Sequence, residues 1–199
     1  MAADVGSVAK AVDAKYNHLQ TLQADFTEIY RGAGAERTES GTLWLKKPGK
    51  MRWEYRSPKE KLFLSDGRSA WFWVVGERQV QRTQVKQLED LRSPIAFLLG
   101  RTRLEKELQP LSFAPDMAPL EPGDLVLRGV PRAMADRVGQ IVLEVTPEHW
   151  IRRILIEEVD GSSTEYRFTN ERENLAVDDE KFHLRLPAGA EVMDGQIGP

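Results

Sequence analysis

The sequence predicts a mainly β protein: an antiparallel sheet of about ten strands, one N-terminal helix and one central helical insertion. Three observations predict it. The apolar period switches from three-and-four to two after Gln23, short apolar runs then recur between turn signals, and the stretch 85–108 breaks that rhythm around Pro94.

The first element spans about Ala3 to Leu22, where Val5, Val8, Ala9, Val12, Tyr16 and Leu19 make one apolar stripe at helical spacing. Ala24–Tyr30 alternates as a strand, and Gly32-Ala33-Gly34-Ala35 supplies its turn. Gly41–Lys47 returns, Pro48-Gly49 turns the chain, and Lys50–Arg56 follows. After Pro58, Lys61–Leu64 leads into the Ser65-Asp66-Gly67 hairpin signal, Ala70–Val75 comes back, and Gly76-Glu77 turns into Arg78–Gln84. Val85 to Leu108 reads as two helical pieces: Val85, Leu88 and Leu91 before Pro94, and Ile95 to Leu99 after it, with Gly100 as the stop. Leu108–Pro122 carries four prolines and is expected as an irregular loop. Strands resume at Asp124–Val130, Gly139–Val145 and Arg152–Val159, Asp160-Gly161 marks another hairpin, and Thr164–Phe168 returns. Phe182–Leu186 is expected as a short late strand and the tail beyond Pro187 as loose. No linker or repeat divides the chain, so residues 1–199 are expected to form a single domain.

Composition excludes several classes. Twenty-eight basic against 31 acidic side chains leave a formal charge of −3, no electrostatic footprint for nucleic acid. The absence of cysteine removes disulfides, thiol catalysis and thiolate metal sites. His18, His149 and His183 have no metal-ligand spacing, no phosphate loop precedes a helix, and no nucleophile elbow is present. The expectation is therefore no catalytic residue, no metal and no cofactor. No apolar window is long enough for a membrane-crossing helix. Met1-Ala2-Ala3-Asp4 lacks the pattern of a signal peptide, which fits either a cytoplasmic protein or a mature secreted form behind an added methionine.

Aromatic mass is concentrated in the first half of the sheet, where Trp44, Trp53, Trp71 and Trp73 stand close in sequence with Tyr55, Phe63 and Phe72. Alternation puts Leu43 and Leu45 on one face of their strand, and Met51, Trp53 and Tyr55 on one face of the next. Arg52, Glu54 and Arg56 then take the opposite, wet face. Leu62 and Leu64 face away from Phe63, and Trp71, Trp73 and Val75 face away from Ala70, Phe72 and Val74. Alternation alone leaves open which side of 70–75 is internal. A curved sheet with such residues inside is either filled by its own side chains or encloses a ligand cavity.

Several segments resemble the LolA-like outer-membrane lipoprotein carriers. These are Leu43-Trp44-Leu45-Lys46-Lys47-Pro48-Gly49-Lys50-Met51-Arg52-Trp53-Glu54-Tyr55, Ser65-Asp66-Gly67 with Trp71-Phe72, Leu143 to Pro147 with Ile151 to Ile154, and Tyr166 to Asn170 with Asn174 and Phe182. The resemblance runs in order from roughly Val12 to Val192. It implies an unclosed antiparallel β-barrel, a half-barrel, covered by a helical lid. The cavity would hold acyl chains, with walls expected from Leu43, Leu45, Met51, Trp53, Tyr55, Leu62, Leu64, Trp71 and Trp73. The lid would present Val8, Val12, Ile95, Ala96, Phe97, Leu98 and Leu99. Family members often carry an arginine before the proline of the second strand, where it latches the lid; here the residue is Lys47, whose ammonium lacks the planar fork of a guanidinium. The implied role is a monomeric periplasmic carrier, not an enzyme. It would take acylated lipoproteins from an inner-membrane ABC-type release complex to an outer-membrane lipoprotein receptor, with no cofactor and no nucleic acid involved. The missing signal peptide then indicates the mature form. The alternative is the same fold carrying another amphiphile such as a glycolipid, or sensing envelope stress.

Overall fold

The structure is a computed structural model that describes residues 4–85, 98 and 103–195. Among these, twelve strands hydrogen-bond in the order β12-β6-β5-β4-β3-β2-β1-β11-β10-β9-β8-β7, and the end strands β12 and β7 have no mutual pairing, so the sheet is unclosed. The chain divides into two compact units, one built from Met1–His18, Thr27–Thr38 and Pro94–Thr169, the other from Leu19–Phe26, Glu39–Ser93 and Asn170–Pro199.

The first unit begins with α1 (Val5–His18). Asp4 caps it: the Ser7 hydroxyl donates to Asp4 Oδ2 and the Ser7 N–H to Asp4 Oδ1 at 3.1 Å, and these two bonds hold the Asp4 carboxyl below its ordinary pKa. Val8, Ala9, Val12 and Tyr16 are its buried stripe. The helix is shorter than its stripe predicts. Thr21 Oγ1 donates to Leu175 O at 2.6 Å and the Gln20 N–H to Asn174 Oδ1 at 2.9 Å, so tertiary bonds pull residues after His18 into an extended path.

β1 (Thr21–Gly32) and β2 (Ala35–Lys46) run through both units and join at Ala33-Gly34. Both turn residues have positive φ, 49° and 75°, the geometry of a two-residue hairpin turn. The first unit also holds β7 (Ser112–Phe113), β8 (Leu125–Gly129), β9 (Val138–Val145) and β10 (Ile151–Glu158), and β11 (Ser163–Glu173) begins in it and passes into the second unit at Asn170. β7 lies in the proline-rich stretch expected as irregular; it pairs with β8 at Ser112 and Phe113, and the Ala114 N–H donates to Val126 O at 2.8 Å just beyond.

Both faces of β8–β10 are covered. Leu127, Ile141, Leu143 and Ile154 share one face and are almost fully buried. On the other, Val126 and Val142 form a cluster with Ala114, flanked by Met117 and Leu155. Two-sided burial is why 141–145 reads as an apolar run interrupted only by Glu144. The short α2 (Leu104–Glu107) is tied to α1, its Leu104 N–H donating to both carboxylate oxygens of Asp13 at 3.1 and 3.2 Å. At the other end of α1, the Ile151 N–H donates to the Tyr16 hydroxyl at 3.0 Å, and Lys15 lies 3.9 Å from the Trp150 ring centroid.

The second unit contains β3 (Lys50–Ser57), β4 (Lys61–Asp66), β5 (Ser69–Val74) and β6 (Gln79–Gln84), a meander of antiparallel neighbours from β2 onward. β12 (Glu191–Asp194), in the tail expected to be loose, pairs parallel with β6, so the sheet is not purely antiparallel. Arg82 fastens that pairing by a two-pronged contact to Asp194, at 2.6 and 2.9 Å. The late strand expected at Phe182–Leu186 does not form; Asp179–Phe182 is instead a 3-10 turn capped by Asp178, which accepts from the Glu180 N–H. The two helical pieces expected between Val85 and Leu99 lie outside the described residues, apart from Val85 and from Leu98, which is buried.

Candidate functional site

Register decides which side chains of the second unit meet. Opposed residues share a face, so one face of β2–β5 carries three rows: Gly41, Tyr55, Lys61 and Val74; Leu43, Trp53, Phe63 and Phe72; Leu45, Met51, Ser65 and Ala70. Phe26 of β1 joins the middle row. Its ring meets Trp53 at 4.7 Å between centroids and Tyr55 at 4.9 Å, both edge-on. Exposure grades along the strands. The Leu45 row is buried and Trp53 is only 1% exposed, whereas Phe63, Phe72, Tyr55 and Val74 are half-buried.

This register corrects the expected cavity wall. Leu43, Leu45, Met51, Trp53 and Tyr55 do share a face. Leu62, Leu64, Trp71 and Trp73 stand on the opposite one, because Phe63 faces Trp53 across β3–β4 and Phe72 faces Phe63 across β4–β5. Phe26, Phe63 and Phe72 are the members that sequence reasoning missed. The signal for Phe26 was present in the Leu22, Ala24, Phe26 alternation; for Phe63 and Phe72 the deciding quantity is register, which alternation within one strand does not contain.

The opposite face is not the wet one either. The segment after β11 lies on it: Lys46 Nζ and Lys50 Nζ bind Asp179 at 2.8 and 2.9 Å, Lys46 Nζ also donates to Val177 O, and Arg52 Nη1 donates to Lys181 O at 3.0 Å. These two ammonium groups hold the Asp179 pKa down at about 2. Lys181 in turn lies 3.7 Å from the Trp44 ring centroid, and Phe182 is buried beside β3 and β4. The lysines and Arg52 thus serve as anchors for a covering segment, and Leu62, Leu64 and Val80 become a second small core beneath it.

Of the expected lid residues, Val8, Val12 and Leu98 are buried, while Ile95, Ala96, Phe97 and Leu99 lie outside the described residues. Lys47 follows the last residue of β2; it is half-buried, and its backbone N–H donates to Gln20 O at 2.9 Å.

The first unit holds a buried ionic group that nothing in the sequence pattern separates from surface charge. Glu144 is fully buried and meets Arg153 Nη2 at 2.7 Å. Its Oε1 also accepts the Leu120 N–H at 2.6 Å and the Glu121 N–H at 3.3 Å, and Arg153 donates to Ala118 O, so the pair clips the proline-rich stretch onto the sheet. Burial raises the Glu144 pKa against the pull of Arg153. Burial would raise Glu165 too, but hydrogen bonds from Arg167 and Arg31 hold it below its ordinary value. Among the described residues no three His, Cys, Asp or Glu side chains group as a metal site.

A family model described as outer membrane lipoprotein carrier protein LolA matches residues 17–185. The chain belongs to the LolA family. Its relatives agree: an outer-membrane lipoprotein carrier protein of Sodalis glossinidius is 26% identical over 188 residues, covering 94% of this chain and 87% of that protein. One of Chromobacterium violaceum is 29% identical over 177 residues, covering 88% and 82%. Among solved structures, an uncharacterized conserved protein of Thermus thermophilus shares the fold at a TM-score of 0.59 and 11% identity, covering 94% of this chain and 97% of that one. LolA family membership and an unclosed sheet were both expected from the sequence. LolA proteins are lipoprotein carriers rather than a known enzyme family.

Proposed function

We propose that the chain is a periplasmic lipoprotein carrier, a single LolA-like domain that holds acyl chains against the face of Phe26, Trp53, Tyr55, Phe63 and Phe72. It receives lipoproteins from an inner-membrane ABC-type release complex, delivers them to an outer-membrane receptor, works as a monomer, and catalyses no reaction. The observation that carries the reading is the half-buried aromatic row: Phe63 and Phe72 offer apolar surface beside a fully packed Trp53. Family membership supports the cargo.

The physical demand is large. Each methylene exposed to water costs about 0.8 kcal/mol, so some forty methylenes on three chains cost on the order of 30 kcal/mol. A carrier must therefore cover most of the chain length, and it must do so reversibly. Half-buried aromatic rings suit this, since they present large rigid area at little entropic cost. On this reading Lys47 latches a lid more weakly than an arginine would.

The test uses two variants, one keeping only Trp53 and one only Trp71, with the other tryptophans replaced by phenylalanine. Each is titrated with a triacylated lipopeptide carrying brominated chains. Saturable quenching of Trp53 with little quenching of Trp71 is expected, because they stand on opposite faces. Quenching of Trp71 alone, or of neither in folded protein, would overturn the assignment.

A further inference from the structure

The three rows differ in chemistry as well as exposure. Among the described residues, Lys61 is the one charged side chain in them, and it stands in the outermost row beside Tyr55 and Val74. Its Nζ lies 2.5 and 2.7 Å from the two carboxylate oxygens of Glu39 and 5.3 Å from the Tyr55 ring centroid. Both side chains are only 21% exposed. The β2 position of the same row is Gly41, which offers no side chain: a Cβ there would sit 1.8 Å from Glu54 O. The aromatic face therefore ends at a partly buried ion pair, beside a glycine position closed by the Glu54 carbonyl.

We infer that Lys61 and Glu39 form the head-group subsite of the acyl-binding face, and that they select an acylated peptide over an anionic lipid. The inference rests on the carrier reading above. An ammonium has three N–H donors; Glu39 occupies two, and the third can donate to an amide carbonyl of the acylated cysteine, a group that diacylglycerol and phosphatidylglycerol lack. Glu39 keeps lone pairs that accept peptide N–H groups. An acylated cysteinyl peptide supplies both partners, carbonyl oxygens and amide N–H groups, within a few bonds of its chains. A phospholipid phosphate supplies only acceptors and meets the Glu39 charge as well as the Lys61 charge, so the neutral pair gives it no net attraction. An unpaired lysine at this place would attract anionic lipid, a competitor with the same acyl chains. The pair thus turns an apolar surface that accepts any chain into one that reads what the chain is attached to.

Three ligands with identical chains separate the possibilities: a triacylated cysteinyl peptide, diacylglycerol, and phosphatidylglycerol in sub-micellar form. Affinities are measured by fluorescence for the intact protein, Lys61→Met and Glu39→Gln, each checked by thermal melting. Lys61→Met should weaken the lipopeptide about tenfold or more, the scale of a lost hydrogen bond to a charged group, and leave diacylglycerol unchanged. Glu39→Gln, which frees the ammonium, should raise affinity for phosphatidylglycerol. Equal weakening of lipopeptide and diacylglycerol, or no change in either, would overturn the subsite while the carrier reading stands. If the intact protein bound none of the three, the carrier reading itself would fall, and the subsite with it.

Discussion

Asp13 links α1 to α2 through the Leu104 N–H, and burial raises its pKa from 3.8 to about 6, with Glu105 adding to the rise and Arg103 opposing it. The folded state therefore binds this proton more tightly than the unfolded chain, and the sign follows. Between the unfolded and folded pKa values the folded state carries more protons, so stability falls as pH rises through that window and stays lowered above it. A shift of about two units corresponds to about 3 kcal/mol, which solvent on the open side of the half-buried carboxylate reduces to about 1–2 kcal/mol. Asp13→Asn removes the charge and keeps an oxygen for the Leu104 N–H. Urea unfolding should show the variant about 1–2 kcal/mol more stable than the unaltered protein at pH 7.5 and equal to it at about pH 3, below the unfolded pKa of 3.8. The difference between the two proteins is the quantity to read, because Glu144 shifts in the same direction and contributes to both. A difference that is the same at both pH values, or a variant less stable at each, would refute the argument.

Removing one partner of the Glu144–Arg153 pair strands the other in a dry site: Glu144→Leu should cost about 3–5 kcal/mol by denaturant unfolding, and adding Arg153→Met should recover part of it. Strictly additive losses would show that the two do not act as a pair. Gly41→Ala should cost about 1–3 kcal/mol, at the upper end because the obstacle is the Glu54 carbonyl in the backbone and cannot swing away. Asp179 should titrate at about 2 by carbon-detected NMR, and Lys46→Met with Lys50→Met should return it toward the ordinary carboxylate range. Phe182 should then lose protection, which hydrogen exchange at its amide would report.

Alternation and turn chemistry made most strands of the meander legible, because Pro48-Gly49, Ser65-Asp66-Gly67 and Asp160-Gly161 punctuate runs whose period is two. The ends were less legible. β1 begins earlier than its pattern suggests, since Gln20 and Thr21 are held by Asn174 and Leu175, residues remote in sequence. β7 and β12 were missed because two- and four-residue edge strands take their order from a neighbour and carry no periodicity of their own. At the site, single-strand alternation grouped Leu43 with Leu45 and Met51 with Trp53 and Tyr55 correctly. It could not relate one strand to the next across the Ser57–Lys61 connection, and so Leu62, Leu64, Trp71 and Trp73 were grouped with Trp53 although register sets them on the opposite face. The lysines of the covered face illustrate another limit. A charged residue on alternate positions reads as solvated until the segment that covers it is located, and here that segment follows β11.

The pairing of β12 with β6 sets an order of events for the nascent protein. β6 is complete long before Glu191–Asp194 has been made, so its outer row of amide and carbonyl groups stays unsatisfied through most of synthesis. An unsatisfied row of that kind templates strands from other chains. Until β12 pairs with it, β6 is a six-residue open edge; afterwards the edge at that end is the four-residue β12, a shorter template. The Arg82–Asp194 contact works as the catch on that closure.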